Sequence, residues 1–140
     1  MADKIDPERR SQNMRRVRSR DTQPELVVRH ALYKLGYRYR LHRRDLAGTP
    51  DIVFPSKKLA IFVHGCFWHR HSGCKRTTTP STRAEFWKAK FDANVARDQR
   101  TKRSLAKLGW RSQVIWECET KSIEQLQIKL AKIMARYCSN

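Results

Sequence analysis

The chain has no apolar run approaching the roughly 20 residues that a membrane-spanning helix needs. Its N-terminus is polar and charged, unlike a basic stub followed by an apolar signal segment, so a soluble cytoplasmic protein is expected. It has no internal repeat and no low-complexity segment, which excludes a solenoid or a linker array. Acidic residues are scarce: 13 Asp and Glu against 31 Lys and Arg leave a formal charge of +18 on 140 residues. A surplus of that size calls for a polyanionic partner. Nucleic acid leads, because each neutralised phosphate releases counterions and a basic surface speeds association; an anionic membrane surface is the competitor.

The length suits one domain with one modest core. Seven of the first twenty residues are Lys or Arg, and Asp6 with Pro7 can open a short basic helix. That segment carries only Ile5, Met14 and Val17 as apolar content, too little to pack alone. Residues 1–20 therefore read as a basic arm that orders on its partner, or as a solvated charged tail, and residues 21–140 as the domain.

Within the domain, Thr22 and Glu25 have capping-box spacing ahead of Leu26, Val27, Ala31, Leu32 and Leu35, and Gly36 ends that helix. Tyr37 to Leu41 alternates like a strand. Asp51 to Phe54 and Leu59 to Val63 predict two more strands, joined by Pro55 to Lys58. Thr82 and Glu85 have capping-box spacing for a long helix to Leu108, Trp110 to Trp116 reads as a strand, and Ser122 to Tyr137 as an amphipathic helix. This order predicts an α/β domain with a mixed sheet flanked by helices. Residues Gly65 to Pro80 have no periodicity and read as a loop that is ordered only by something it binds.

That loop holds Cys66, His71 and Cys74, and Cys118 stands at the end of a predicted strand. Thiolates with an imidazole suit tetrahedral Zn²⁺, and a complete Cys₃His set leaves no open position, so such a metal is structural. The alternative is four unrelated residues, since the spacing matches no standard finger. Cys138 is a bystander.

Nucleases of the PD-(D/E)xK type place Pro-Asp on one strand, and a second acid, any residue and Lys on its neighbour. Here Pro50 and Asp51 match, but Phe62 stands for the second acid and His64 for the lysine. A Mg²⁺ ion at Asp51 then needs the Val63 carbonyl, water and phosphate oxygens to complete its shell. Asp51 is equally a turn residue after Pro50, and Glu25 equally the closing residue of its capping box. Imidazole titrates near neutrality, so His69 suits a general base, with Asp98 as the acid that orients it or as an ordinary exposed helix residue. His64 and His69 are either part of this site or satisfied polar residues, and His30 and His42 read as satisfied polar residues.

The chain resembles the very-short-patch repair (Vsr) endonucleases over nearly its whole length. The similarity lies in Ser11 to Arg15, Arg20 to Thr22 with Glu25, Gly48 to Asp51, and Phe62 to His69. It continues in Thr82 to Trp87, Asn94 to Asp98, Leu108 to Trp110 and Val114 to Cys118. The run His64-Gly65-Cys66-Phe67-Trp68-His69 is highly specific.

The resemblance implies a restriction-endonuclease-like fold and nicking of DNA 5′ to the thymine of a T·G mismatch left by deamination of 5-methylcytosine. It implies two Mg²⁺ ions, held by Asp51 and the Val63 carbonyl, with His69 as base oriented by Asp98, His64 near the phosphate and Glu25 near the site. One structural zinc is implied on Cys66, His71, Cys74 and Cys118. Phe67, Trp68 and Trp87 would wedge between base pairs, and the arm, through Asn13, Met14 and Arg15, would clasp the opposite groove. A monomer working beside a cytosine-5 methyltransferase, associated with the nucleoid when bound to DNA, is the implied setting. Val63 stands where some relatives have Thr. Residues 38–47 match no usable motif. A zinc-stabilised DNA-binding module without catalysis and a restriction-type nuclease acting on matched DNA are the rival readings.

Overall fold

A computed structural model describes residues 22–75 and 77–138; the basic arm, with Asn13, Met14 and Arg15, lies outside the described residues. Helix α1 spans Gln23–Lys34. The Thr22 side chain accepts a bond from the Glu25 backbone N–H at 3.4 Å, and Gly36 stops the helix at a φ of 94°. Only half of the expected capping box forms, because the Glu25 carboxylate turns away from the cap and into the protein, where the residue is 2% exposed.

Strands β1 (Arg40–Leu41), β2 (Ile52–Phe54) and β3 (Leu59–His64) follow as an antiparallel meander. The first strand is shorter than its alternation predicts: the residues before Arg40 lie outside the ladder, with Tyr37 and Tyr39 packing edge-on against Phe54. Helix α2 is a single turn, Cys66–His69, inside the segment expected to be aperiodic. Helix α3 runs Ala84–Lys107, β4 spans Arg111–Trp116 and α4 closes as Ile123–Cys138. The second expected capping box is absent: Arg83 caps α3 with a φ of 56° and no side-chain bond.

The sheet order is β1-β2-β3-β4, with β4 parallel to β3 and α3 in the crossover between them. Alternation sends Ile52, Phe54, Leu59 and Ile61 to one face, where Val28 and Leu32 of α1 and Leu126, Leu130 and Met134 of α4 cover them. Val53, Ala60 and Phe62 point to the other face, against Leu46 and Leu105. Both faces are thus occupied by helices, which leaves the C-terminal end of β3 and the start of β2 as the open ground between α1 and α3. Among the described residues no helix is long and apolar enough to cross a membrane.

Leu130 is completely buried and Ile128, on the same helix, is 51% exposed. Leu130→Ala is expected to cost about 2–5 kcal/mol in urea unfolding, and Ile128→Ala no more than about 0.5 kcal/mol. Equal losses would contradict the packing of α4.

Candidate active site

Asp51 immediately precedes β2, opposite the end of β3. Its Oδ2 accepts the Val63 backbone N–H at 2.7 Å. The N–H and C=O of one strand residue face the same edge, so the Val63 carbonyl also lies on the Asp51 side of β3. That edge is open because β2 has not yet begun. Gly48 lets the chain reach this position: at a φ of 75° it lies so close to α3 that a Cβ would sit 2.5 Å from Thr101 Cγ2.

Glu25 reaches the same point from α1, and His42 from the residue after β1. The His42 backbone N–H donates to the Asp51 carbonyl at 3.3 Å, continuing the β1–β2 ladder by one rung. The ligand atoms of Glu25, His42 and Asp51 all lie within 4.8 Å of one another. Burial, above all, and then the neighbouring Glu25 carboxylate push Asp51 up to about 8, against the opposing effects of the Val63 N–H and Arg29. A group in that state holds a proton at neutral pH unless a cation replaces it.

His64 ends β3, 8% exposed, and its ring stacks on His69 at 3.8 Å between centroids and 7° between planes. Burial and the charge of His69 bring His64 down to about 4, so it is a neutral imidazole at neutral pH. His69 Nδ1 lies 2.6 Å from Asp98 Oδ2, the contact expected of an oriented base. The bond fixes the tautomer and leaves Nε2 for proton chemistry. Asp51, Val63, His64, His69 and Asp98 line one cavity of about 970 Å³, open between β3 and α3.

Asp98 is not an ordinary exposed helix acid, and its position has a simple cause. Asn94 and Asp98, four apart on α3, face α2 together; Asn94 Nδ2 donates to the Trp68 carbonyl at 3.2 Å while Asp98 holds the next ring, His69. The aromatics of this region lie outside both core clusters. Phe67 meets Trp68 edge-on at 5.0 Å, and Trp87 lies 5.9 Å from Trp68 and 6.0 Å from Phe67; all three are half-buried, and Trp68 lines the cavity.

Cys66, His71, Cys74 and Cys118 converge as the sequence suggests, with their ligand atoms within 4.8 Å of one another. His71 Nδ1 lies 3.6 Å from Cys66 Sγ and 3.4 Å from Cys118 Sγ. Tetrahedral Zn²⁺ with ordinary Zn–S and Zn–N bonds separates S from N by about 3.6 Å, so the donor set fits that ion. Burial pushes the Cys66 thiol up to about 12, so thiolates require a cation among them here. Trp116 stacks on His71 at 4.2 Å and sets the ring's plane.

Sequence reasoning missed three residues. Arg29, bonded to Glu25, was legible as an i,i+4 pair on α1; Asn94 lay in a quoted motif without a role. His42 carried no signal, because it sits in the stretch that matches no pattern.

The chain lines one cavity of its helix-flanked mixed sheet with a carboxylate, a strand carbonyl and a histidine–carboxylate pair, a set whose chemistry suits phosphodiester hydrolysis. Its fold is shared with the catalytic domain of the homing endonuclease I-Bth0305I, at a TM-score of 0.60 and 24% identity, covering 85% of this chain and 100% of that domain. Within that class, residues 2–76 match the family profile "DNA mismatch endonuclease Vsr". The chain is 52% identical to the type II nicking enzyme V.XorIIP of Xanthomonas oryzae pv. oryzae, over 96% of this chain and 98% of that one. It is 42% identical to the DNA mismatch endonuclease Vsr of Escherichia coli K12, over 90% and 80% respectively. The chain belongs to the Vsr family of DNA mismatch endonucleases.

Without added divalent cations, the raised Asp51 couples stability to pH. An aspartate titrates near 3.9 in an unfolded chain, so its penalty is absent below about pH 4, grows as pH rises, and is complete above about pH 8. Asp51→Asn is therefore expected to raise the thermal midpoint by several degrees at pH 8 and by much less at pH 5. An equal gain at both pH values in a thermal melt would refute the raised Asp51.

Proposed function

We propose that the chain nicks one strand of duplex DNA 5′ to the thymine of a T·G mismatch left by deamination of 5-methylcytosine. The observation that carries this is the single cavity shared by Asp51 and the His69–Asp98 pair, with an aromatic cluster at its side. The reading assigns Asp51 and the Val63 carbonyl to Mg²⁺, two ions in the DNA complex, and Cys66, His71, Cys74 and Cys118 to one structural Zn²⁺. Mg²⁺ would supply charge stabilisation at the scissile phosphate.

The protein's own groups do the rest. His69 Nε2 takes the proton of the attacking water, while Asp98 holds Nδ1–H and stabilises the imidazolium that results. Neutral His64, stacked on His69, keeps that ring in plane and offers a polar contact at the phosphate region. Glu25 stands behind Asp51. Phe67, Trp68 and Trp87, presented by α2 and α3, suit a wedge between base pairs, where a wobble pair deforms more readily than a Watson–Crick pair. Asn94 joins that wedge to the base, because it grips the Trp68 carbonyl one turn from Asp98. The basic arm, with Asn13, Met14 and Arg15, clasps the opposite groove. A monomer suffices for a nick, acting in the cytoplasm at the chromosome, where a cytosine-5 methyltransferase creates the lesion's precursor.

Duplexes that differ only in T·G or C·G, incubated in Mg²⁺, test the reading. The T·G strand is expected to be nicked and the C·G duplex left intact. His69→Ala and Asp51→Ala should each lower the rate about 10²–10⁴-fold with T·G binding retained. Nicking of both duplexes would point to a restriction-type enzyme, and binding without any nick to a DNA-binding module.

Elemental analysis should find one zinc per chain, lost together with thermal stability in Cys118→Ser. A zinc-free chain of unchanged stability would sink the metal assignment.

A further inference from the structure

Helix α1 buries two charges, one turn apart, at the edge of the cavity. Glu25 is 2% exposed and the Arg29 side chain 12%. Arg29 Nη2 bonds to Glu25 Oε2 at 2.5 Å, and His42 Nε2 lies 3.3 Å from both Glu25 Oε1 and Arg29 Nη2. His42 reaches this place from a left-handed backbone conformation, φ 48°, uncommon outside glycine and held here by the bond to the Asp51 carbonyl. The carboxylate pair that would attract metal ions therefore already contains a cation. That cation is a guanidinium, which does not give up its proton when buried, as a lysine can.

We propose that Arg29, braced against Glu25 by His42, is a built-in counter-ion of Glu25 that limits the DNA-free site to one divalent cation at Asp51. A second ion then binds only with the phosphate oxygens of DNA. The inference rests on reading Asp51 as a cation ligand. Its physical basis is that a dication placed on Glu25 meets the guanidinium's like charge in a partly desolvated setting, whereas Asp51 offers a carboxylate and the Val63 carbonyl on the open edge. Arg29 and His42 are positioning residues: they hold Glu25 against Asp51 and touch no reacting atom.

Mn²⁺ binding to the zinc-loaded full chain without DNA, read as free Mn²⁺ by electron paramagnetic resonance, counts the ions. The wild type is expected to take up one Mn²⁺, lost in Asp51→Asn. Arg29→Met should gain a second ion or bind the first at least about tenfold more tightly, and Arg29→Lys, which keeps the charge, should stay at one. The double variant Arg29→Met with Glu25→Gln guards against misfolding of the single one, since it replaces an ion pair by a neutral pair. It should bind one ion with affinity within about threefold of wild type; a loss of tenfold or more would make Glu25 itself a ligand and overturn the proposal. A wild type that nicks T·G duplex in Mg²⁺ yet takes up no ion, or two, before DNA is added overturns it as well. A chain that does not nick at all fails the underlying reading instead.

Discussion

The bond from the Val63 N–H to the Asp51 carboxylate, 2.7 Å long, ties the start of one strand to the end of the next. It fastens the carboxylate where β2 has not yet begun, so the β3 edge beside it has no strand to cover it. Glu25 and His42 are arranged around Asp51, and His64 and His69 lie further along the same chain. Without that bond Asp51 would be a buried acid with fewer donors, costlier still to ionise. With it, the site holds a carboxylate that favours a proton or a metal and little else.

A second constraint works from α3. Its Asn94 and Asp98 grip successive residues of α2, the Trp68 carbonyl and the His69 ring, while Cys66 at the start of α2 belongs to the Cys and His cluster. The aromatic cluster, the His69–Asp98 pair and the Cys and His cluster are therefore not independent features. Each has a member on the one helical turn Cys66–His69, pinned from α3 on one side and from Cys118 at the end of the sheet on the other. Motion of that turn would move all three together.

Much of the fold could be read from local pattern. The apolar positions of α1 and α4, and the alternation in β2 and β3, describe which side of each element is buried, and Gly36 and Gly109 mark two helix ends at positive φ. Among the expectations that needed correction, three have a clear physical reason. The β1 strand shrank to Arg40–Leu41 because Tyr37 and Tyr39 pack on Phe54 instead of pairing. Residues Cys66–His69 closed into a helical turn despite lacking a periodic face, since their stability comes from bonds to α3 and not from amphipathicity. Glu25 abandoned the capping box because Arg29 and His42 offer a buried carboxylate more than a backbone N–H can.

The residue chemistry was determined by the sequence alone: the Pro50-Asp51 pair, the histidine in place of lysine, the four metal-type donors and a charge of +18 suited to nucleic acid. These are matters of side-chain type and near-neighbour spacing, and spacing is local. Tertiary structure decided which of two roles each ambiguous residue takes. Glu25 and His42 are 17 residues apart, His69 and Asp98 are 29 apart, and Cys66 and Cys118 are 52 apart. No propensity or periodicity reaches across such distances. The packing of α1 and α3 on the sheet brings the first two pairs within bonding range, the parallel pairing of β3 with β4 sets Cys66 beside Cys118, and burial is what shifts Asp51 and His64 from ordinary titrating groups to a proton-holding acid and a neutral imidazole.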